Sequence, residues 1–144
     1  MADSTEKKIF QALATAAKAV TLPSGWVMIL AGEAYTPTAT SKFISTEVHF
    51  NRPINTDAVS QQLQPIRQGF MRMNVMLPKG SAIVDGYDLA GKLCDAFAIG
   101  RKLYQGTVQV RIDEHPEIGP LMTGDTHHTI PTTVRWHSYP QVPA

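Results

Sequence analysis

A chain of 144 residues has the length of one domain with a hydrophobic core of its own, and one domain is expected over residues 1–144. Apolar residues make up 43% and charged residues 17%, a balance that excludes a disordered polyelectrolyte. Thirteen basic side chains against 12 acidic ones leave no global charge to attract nucleic acid or a membrane surface.

The opening segment "MADSTEKKIFQALATAAKAV" is interrupted by Lys18 and never forms the continuous apolar stretch of a signal peptide, so the chain reads as soluble and unexported. No run approaches the roughly 18 apolar residues of a membrane span. Residues 4–20 instead predict an amphipathic helix, with Ile9, Leu13, Ala16 and Val20 at helical spacing and Asp3 with Glu6 resembling a capping box. "TLPSG" ends it, and "WVMILAGE" is too short an apolar run for a helix and predicts a strand. "SKFISTEVHF" alternates: Ile44, Thr46, Val48 and Phe50 face one way, and Phe43, Ser45, Glu47 and His49 the other. "NRPINTDAVSQQLQP" follows as a linker with a short helical turn after Thr56.

"GFMRMNVML" alternates again. Met71, Met73, Val75 and Leu77 form an apolar face, and Phe70, Arg72, Asn74 and Met76 a face that is only half polar. A helix is predicted from about Ala82 to Ile99, ended by Gly100. "TVQVRI" places Val108, Val110 and Ile112 inward. Residues 113–128, "DEHPEIGPLMTGDTHH", have no period and read as a long irregular loop, the kind that serves function or is ordered by partners. "TIPTTVRWH" closes the chain as a strand, with Pro131 suited to a strand start or a sheet edge. The fold expected is α+β: a largely antiparallel sheet of about five strands with two principal helices packed on one face.

Within the second helix, "GYDLAGK" matches G-x-x-x-x-G-K, but Leu93 stands where a phosphate-binding loop needs Ser or Thr to hold magnesium. Tyr87, Asp88 and Leu89 would crowd a loop that wraps phosphate, and Asp88 would repel it. Ile83, Tyr87, Ala90, Cys94 and Phe97 recur three or four apart, with Leu89, Leu93 and Ala96 beside them. The segment therefore reads as an ordinary helix in which small residues allow close packing on the sheet or a neighbour.

The histidines are His49, His115, His127, His128 and His137, and Asp125 sits beside the adjacent pair. Adjacent residues of an extended chain point oppositely, so His127 and His128 do not chelate together, and no metal is assigned. Cys94 is the lone cysteine. It excludes an internal disulfide and a cysteine-cluster zinc site, and on the apolar stripe it reads as an inert buried thiol. Glu114 and Glu117 read as solvated, no nucleophile elbow is present, and no cofactor is expected. Arg67, Arg72, Lys79 and Lys92 are too sparse for specific nucleic-acid binding and match no RNA motif. Phe70, Met76 and Phe43 would lie on the side of the sheet that the helices leave bare, which points to a partner surface.

Several landmarks occur together. They are "TLPSGWVMILAGEAYTP", "KFISTEVHF", "RQGFMRMNVMLPKGSA", a helix ending "FAIGRKL", and "HTIPTTVRW". In this order the chain resembles the tail terminator family of long, non-contractile-tailed phages, the minor tail protein U-like group, over roughly residues 5–138. Gly69, Pro78 and Gly80 match the family pattern and look structural.

The resemblance implies a non-enzymatic α+β protein that forms a six-membered ring. Such a ring caps the tail tube, stops its polymerisation and presents the surface that joins the head connector. The implied partners are further copies of the chain, the tail tube protein and the head–tail connector protein, with DNA passing through the ring and no membrane. The implied location is the head-proximal end of the virion tail, after assembly in the host cytoplasm. Contact surfaces are chosen here on physical grounds: Phe70, Arg72, Met76 and Phe43 for subunit or tube contact, and Pro120, Leu121 and Met122 of the loop for a neighbouring ring. A head–tail connector or neck protein is the nearest alternative. In another class, the alternative is a small metal- or nucleotide-dependent enzyme using His127, His128 or the Gly86–Lys92 segment.

Overall fold

The computed structural model describes residues 4–54 and 65–139. Asp3 and the turn expected after Thr56 lie outside those residues. The first helix, α1 (Thr5–Lys18), is capped by Ser4, whose hydroxyl accepts from Lys7 N. Ser4 thus satisfies an otherwise orphaned amide. The helix buries Ile9, Ala12, Leu13, Ala16 and Ala17, and Arg67 Nε ties it to the sheet through Glu6 Oε2 at 3.2 Å.

The second helix, α2 (Ile83–Ala96), buries Gly86, Leu89, Ala90, Leu93 and Cys94. Tyr87, expected on that stripe, is 42% exposed. The inward face is centred one residue away from the expected one, because Gly86 is the position pressed against the sheet. A β-carbon there would lie 2.3 Å from Leu77 Cδ1 and 2.9 Å from Ile130 Cδ1.

The sheet has eight strands and not about five: β1 (Trp26–Ile29), β2 (Lys42–Phe50), β3 (Arg67–Pro78), β4 (Lys102–Gln105), β5 (Val108–Arg111), β6 (Glu117–Ile118), β7 (Met122–Thr123) and β8 (His127–Ser138). The order is β1-β2-β3-β8-β5-β4, with β6 and β7 also paired to β8. It is a mixed sheet, because β1 runs parallel to β2; a parallel pair needs a crossover of about a dozen residues, and the chain from 30 to 41 supplies it. Two features escaped the periodicity. One is β4, whose four residues are too few for a pattern. The other is the return of 113–128 along β8, which gives the expected irregular loop two short strands, β6 and β7.

Pro131 is also corrected. It sits inside β8, opposite Asn74 of β3, and not at an edge. Its carbonyl accepts from Gly119 N at 2.8 Å, so its missing N–H points to the same side, into the gap between β6 and β7. A proline is tolerated where the ladder is already broken.

Both helices cover one face of the sheet. Met71, Met73, Val75 and Leu77 of β3 meet Ile130, Val134 and Trp136 of β8 in one apolar cluster with Leu13, Leu89 and Phe97. Gly69 lets two strands and Trp136 converge, since a β-carbon there would come within 1.9 Å of His49 O and 2.8 Å of Trp136 Cζ2. Gly80 turns the chain after β3 with φ of 90°.

Candidate assembly face

Alternation sends the other half of each strand to the side without helices. Register brings Phe43 opposite Met76, Ser45 opposite Asn74, Glu47 opposite Arg72, and His49 opposite Phe70. On the next strand Met76 faces Thr129 and Arg72 faces Thr133. The returning segment pairs Glu117 with Thr133 and Met122 with Thr129. Its side chains rise beside the strands and turn the open face into a trough of about 630 Å³.

One end of the trough is apolar, with Phe43, Met76, Pro120 and Met122 in its walls, and the other holds Glu47, Arg72 and Glu117. Phe43 is only 8% exposed, which corrects its expected exposure. Tyr35 and His127 close over it, with ring centroids at 5.2 and 5.6 Å. Met76 is half-buried, and its sulfur accepts from Thr129 Oγ1 at 3.1 Å. Met122 is 50% exposed. Leu121 turns away from the trough and packs against the core. Phe70 lies beyond the lining, half-buried, stacked on His49 at 4.5 Å with the Arg72 guanidinium 5.2 Å from its ring.

The charges of the trough hold one another. Glu47 Oε2 is 2.9 Å from His49 Nε2, and Glu47 Oε1 accepts from Asn74 Nδ2 at 3.3 Å. The hydrogen bond from His49 holds the Glu47 carboxyl below its usual range, with Asn74 and the Arg72 charge assisting. Glu117 Oε1 is 2.8 Å from Arg135 Nη2, and Glu114 Oε2 is 3.8 Å from Arg135 Nη1. Glu114 and Glu117 are exposed, as expected, and also share one arginine.

The structure joins what the sequence pattern keeps apart. Arg72, Met76 and Phe43 line the same concavity as Pro120 and Met122. Glu47, Asn74, Glu117 and Pro131 were missed as lining residues. For Glu47 and Asn74 the alternation already carries the signal, whereas Glu117 and Pro131 depend on where the segment returns.

The remaining singled-out groups lie elsewhere. Both ring nitrogens of the buried His127 are engaged: Nε2–H donates to Ser41 O at 2.8 Å, and Nδ1 is 2.9 Å from Thr126 Oγ1. His128 Nδ1 is 3.2 Å from Thr123 Oγ1, and His137 Nδ1 is 3.0 Å from Asp113 Oδ2. No group of three or more potential metal ligands occurs among the described residues. Lys92, at the lysine position of the phosphate-loop pattern, points to solvent and pairs with Asp88 Oδ2 at 3.0 Å, one turn back. Burial, with the Asp95 charge, raises the pKa of the Cys94 thiol, which keeps it protonated and unreactive. No helix among the described residues is long and apolar enough to cross a membrane.

An open trough with apolar walls, most of whose charges are paired within the protein, has the geometry of a contact surface between proteins. A family model described as phage tail terminator protein matches residues 8–136, and the chain belongs to that family. Its role is that of a structural component of the phage tail. Four chains of solved structures are similar. One, whose designation states no function, aligns with a TM-score of 0.68 at 24% identity, covering 94% of this chain and 95% of its own. That likeness supports the fold. No curated protein matches the sequence.

Proposed function

We propose that this chain acts as a single domain that assembles into a homomeric ring, a hexamer. The ring sits on the head-proximal end of the tail tube, ends tube polymerisation and offers its other side to the head–tail connector. Its work is done by surfaces, without catalysis, cofactor or specific nucleic-acid recognition, and DNA passes through its centre. The observation that carries this reading is the trough on the helix-free face: several apolar side chains stand half-exposed around a concavity, and a family of tail terminators supplies the context. A monomer with no partner would gain nothing from keeping such a surface wet.

Two measurements test the proposal. Light scattering across a concentration series should show a monomer passing into one closed species of about six subunits, since a heterologous interface that closes gives a ring. Adding the assembled species to polymerising tail tube protein should stop tube growth. Tubes that lengthen unchanged in its presence would overturn the terminating role.

A further inference from the structure

A closed ring needs two different patches on each copy, and the two ends of the sheet differ in the way such a joint requires. At one end, the outward backbone of β1 is already covered. Lys18 Nζ donates to Met28 O at 3.1 Å, Leu30 N donates to Glu33 Oε1 at 2.9 Å, and Lys18 and Glu33 pair with each other at 3.1 Å. Side chains that occupy edge groups in this way block the addition of another strand. The trough lies on the helix-free face, over β2, β3 and β8.

At the other end, β4 is the last strand of the main path, and it carries Lys102 and Tyr104 on the same helix-free face, opposite Arg111 and Gln109 of β5. Tyr104 is 61% exposed. Its hydroxyl accepts from Gln109 Nε2 at 2.9 Å, which holds the ring in place before any contact is made. An aromatic side chain held this way is an effective anchor, because little rotamer freedom is left to lose.

Charge points in the same direction. From Arg101 to Arg111 the hairpin carries Arg101, Lys102 and Arg111 and no acidic residue. Arg111 faces Asp113 at 3.8 Å, but Lys102 has no acidic partner among the described residues, whereas the trough and its rim carry Glu47, Glu114 and Glu117 against Arg72 and Arg135. A basic projection with an aromatic tip and a concavity with one excess acid are complementary.

We propose that the β4–β5 hairpin of one copy docks in the trough of the next, with Tyr104 between Met76 and Met122 and Lys102 beside Glu117. The joint rests on the ring reading and names the surfaces that close it. It is directional, because the trough and the hairpin of one molecule are different patches.

The experiment is a cysteine pair, Tyr104→Cys with Met122→Cys, oxidised under assembling conditions beside the untouched chain in light scattering. The double variant should give a ladder of covalent oligomers on a denaturing gel, and each single variant no more than a dimer. Cys94 is buried and does not compete. In parallel, Lys102→Glu should weaken association by about tenfold through like-charge contact, and adding Glu117→Lys should restore it. Circular dichroism confirms that each variant is folded. If the untouched chain forms rings while the double variant gives no ladder and Lys102→Glu assembles normally, the joint is wrong and the trough is left for another partner. If the untouched chain stays monomeric at every concentration, the ring reading and the joint fall together.

Discussion

Strand β3 has two faces that follow different rules. Met71, Met73, Val75 and Leu77 are almost wholly buried under the helices. Phe70, Arg72, Asn74 and Met76 are half-buried and meet a trough, a histidine ring and solvent. The residues alternate along one backbone, so neither propensity nor position in the chain separates them. What separates them is which side the helices cover. The inner face decides whether the chain folds, and the outer face decides what the folded chain can touch.

The sharpest test replaces one methionine from each face. Met73→Ala removes a buried side chain in a packed cluster and should cost about 2–5 kcal/mol in urea unfolding. Met76→Ala, on the half-open side, should cost well under half of that and weaken association instead. Equal losses of stability would erase the distinction between the faces.

Two glycines of α2 repeat the comparison on a smaller scale. Gly86 is pressed onto Leu77 and Ile130. Gly86→Ala gains about 1 kcal/mol of helix propensity but overpacks a buried site, at a cost of about 1–3 kcal/mol. The thermal midpoint should therefore fall. At Gly91 a β-carbon would meet nothing within 4 Å, and Gly91→Ala should raise the midpoint by the gain of about 0.5–1 kcal/mol expected where the backbone is already helical. Shifts of the same sign would show that close approach is not what distinguishes the two positions.

The smallest effect is electrostatic. The Glu47 carboxyl is held below its usual range, first by His49 and then by Asn74 and Arg72. A group with a lowered folded pKa stabilises the protein above its unfolded value, and that contribution is lost as pH falls through the folded one. Between about pH 5 and pH 3 the native chain should therefore lose more stability than Glu47→Gln, with the pair half-open to water and screened by salt. Identical pH profiles would remove Glu47 from the energetics of the face.

Much of this is legible in residue patterns. The helical period over 5–18 and the strand alternation over 42–50 and 67–77 are local properties, fixed by backbone geometry within a few residues. So is the failure of the phosphate-loop pattern, since Leu93 is both the missing hydroxyl and a buried core residue. The half-polar alternation of 70–76 by itself marks the side of the strand that the helices leave open.

The errors share one cause. Alternation predicts a bare Phe43, which is covered by Tyr35 and His127, eight and 84 positions away in the sequence. Leu121 reads as outward with its neighbours and turns inward. Pro131 reads as a strand start or an edge by its chemistry and sits inside a central strand, because the gap it needs lies between β6 and β7.

By itself, then, the sequence determined the helices, the inner faces of the long strands, the α+β class and the likeness to tail terminators. Each of these rests on short-range periodicity or on an ordered set of landmarks. The tertiary structure alone decided the parallel β1–β2 pair, the closed edge at Lys18 and Glu33, and the return of 113–128 that turns a flat face into a trough. These depend on hydrogen bonds and packing between residues far apart in the chain, where no local pattern records which partner wins.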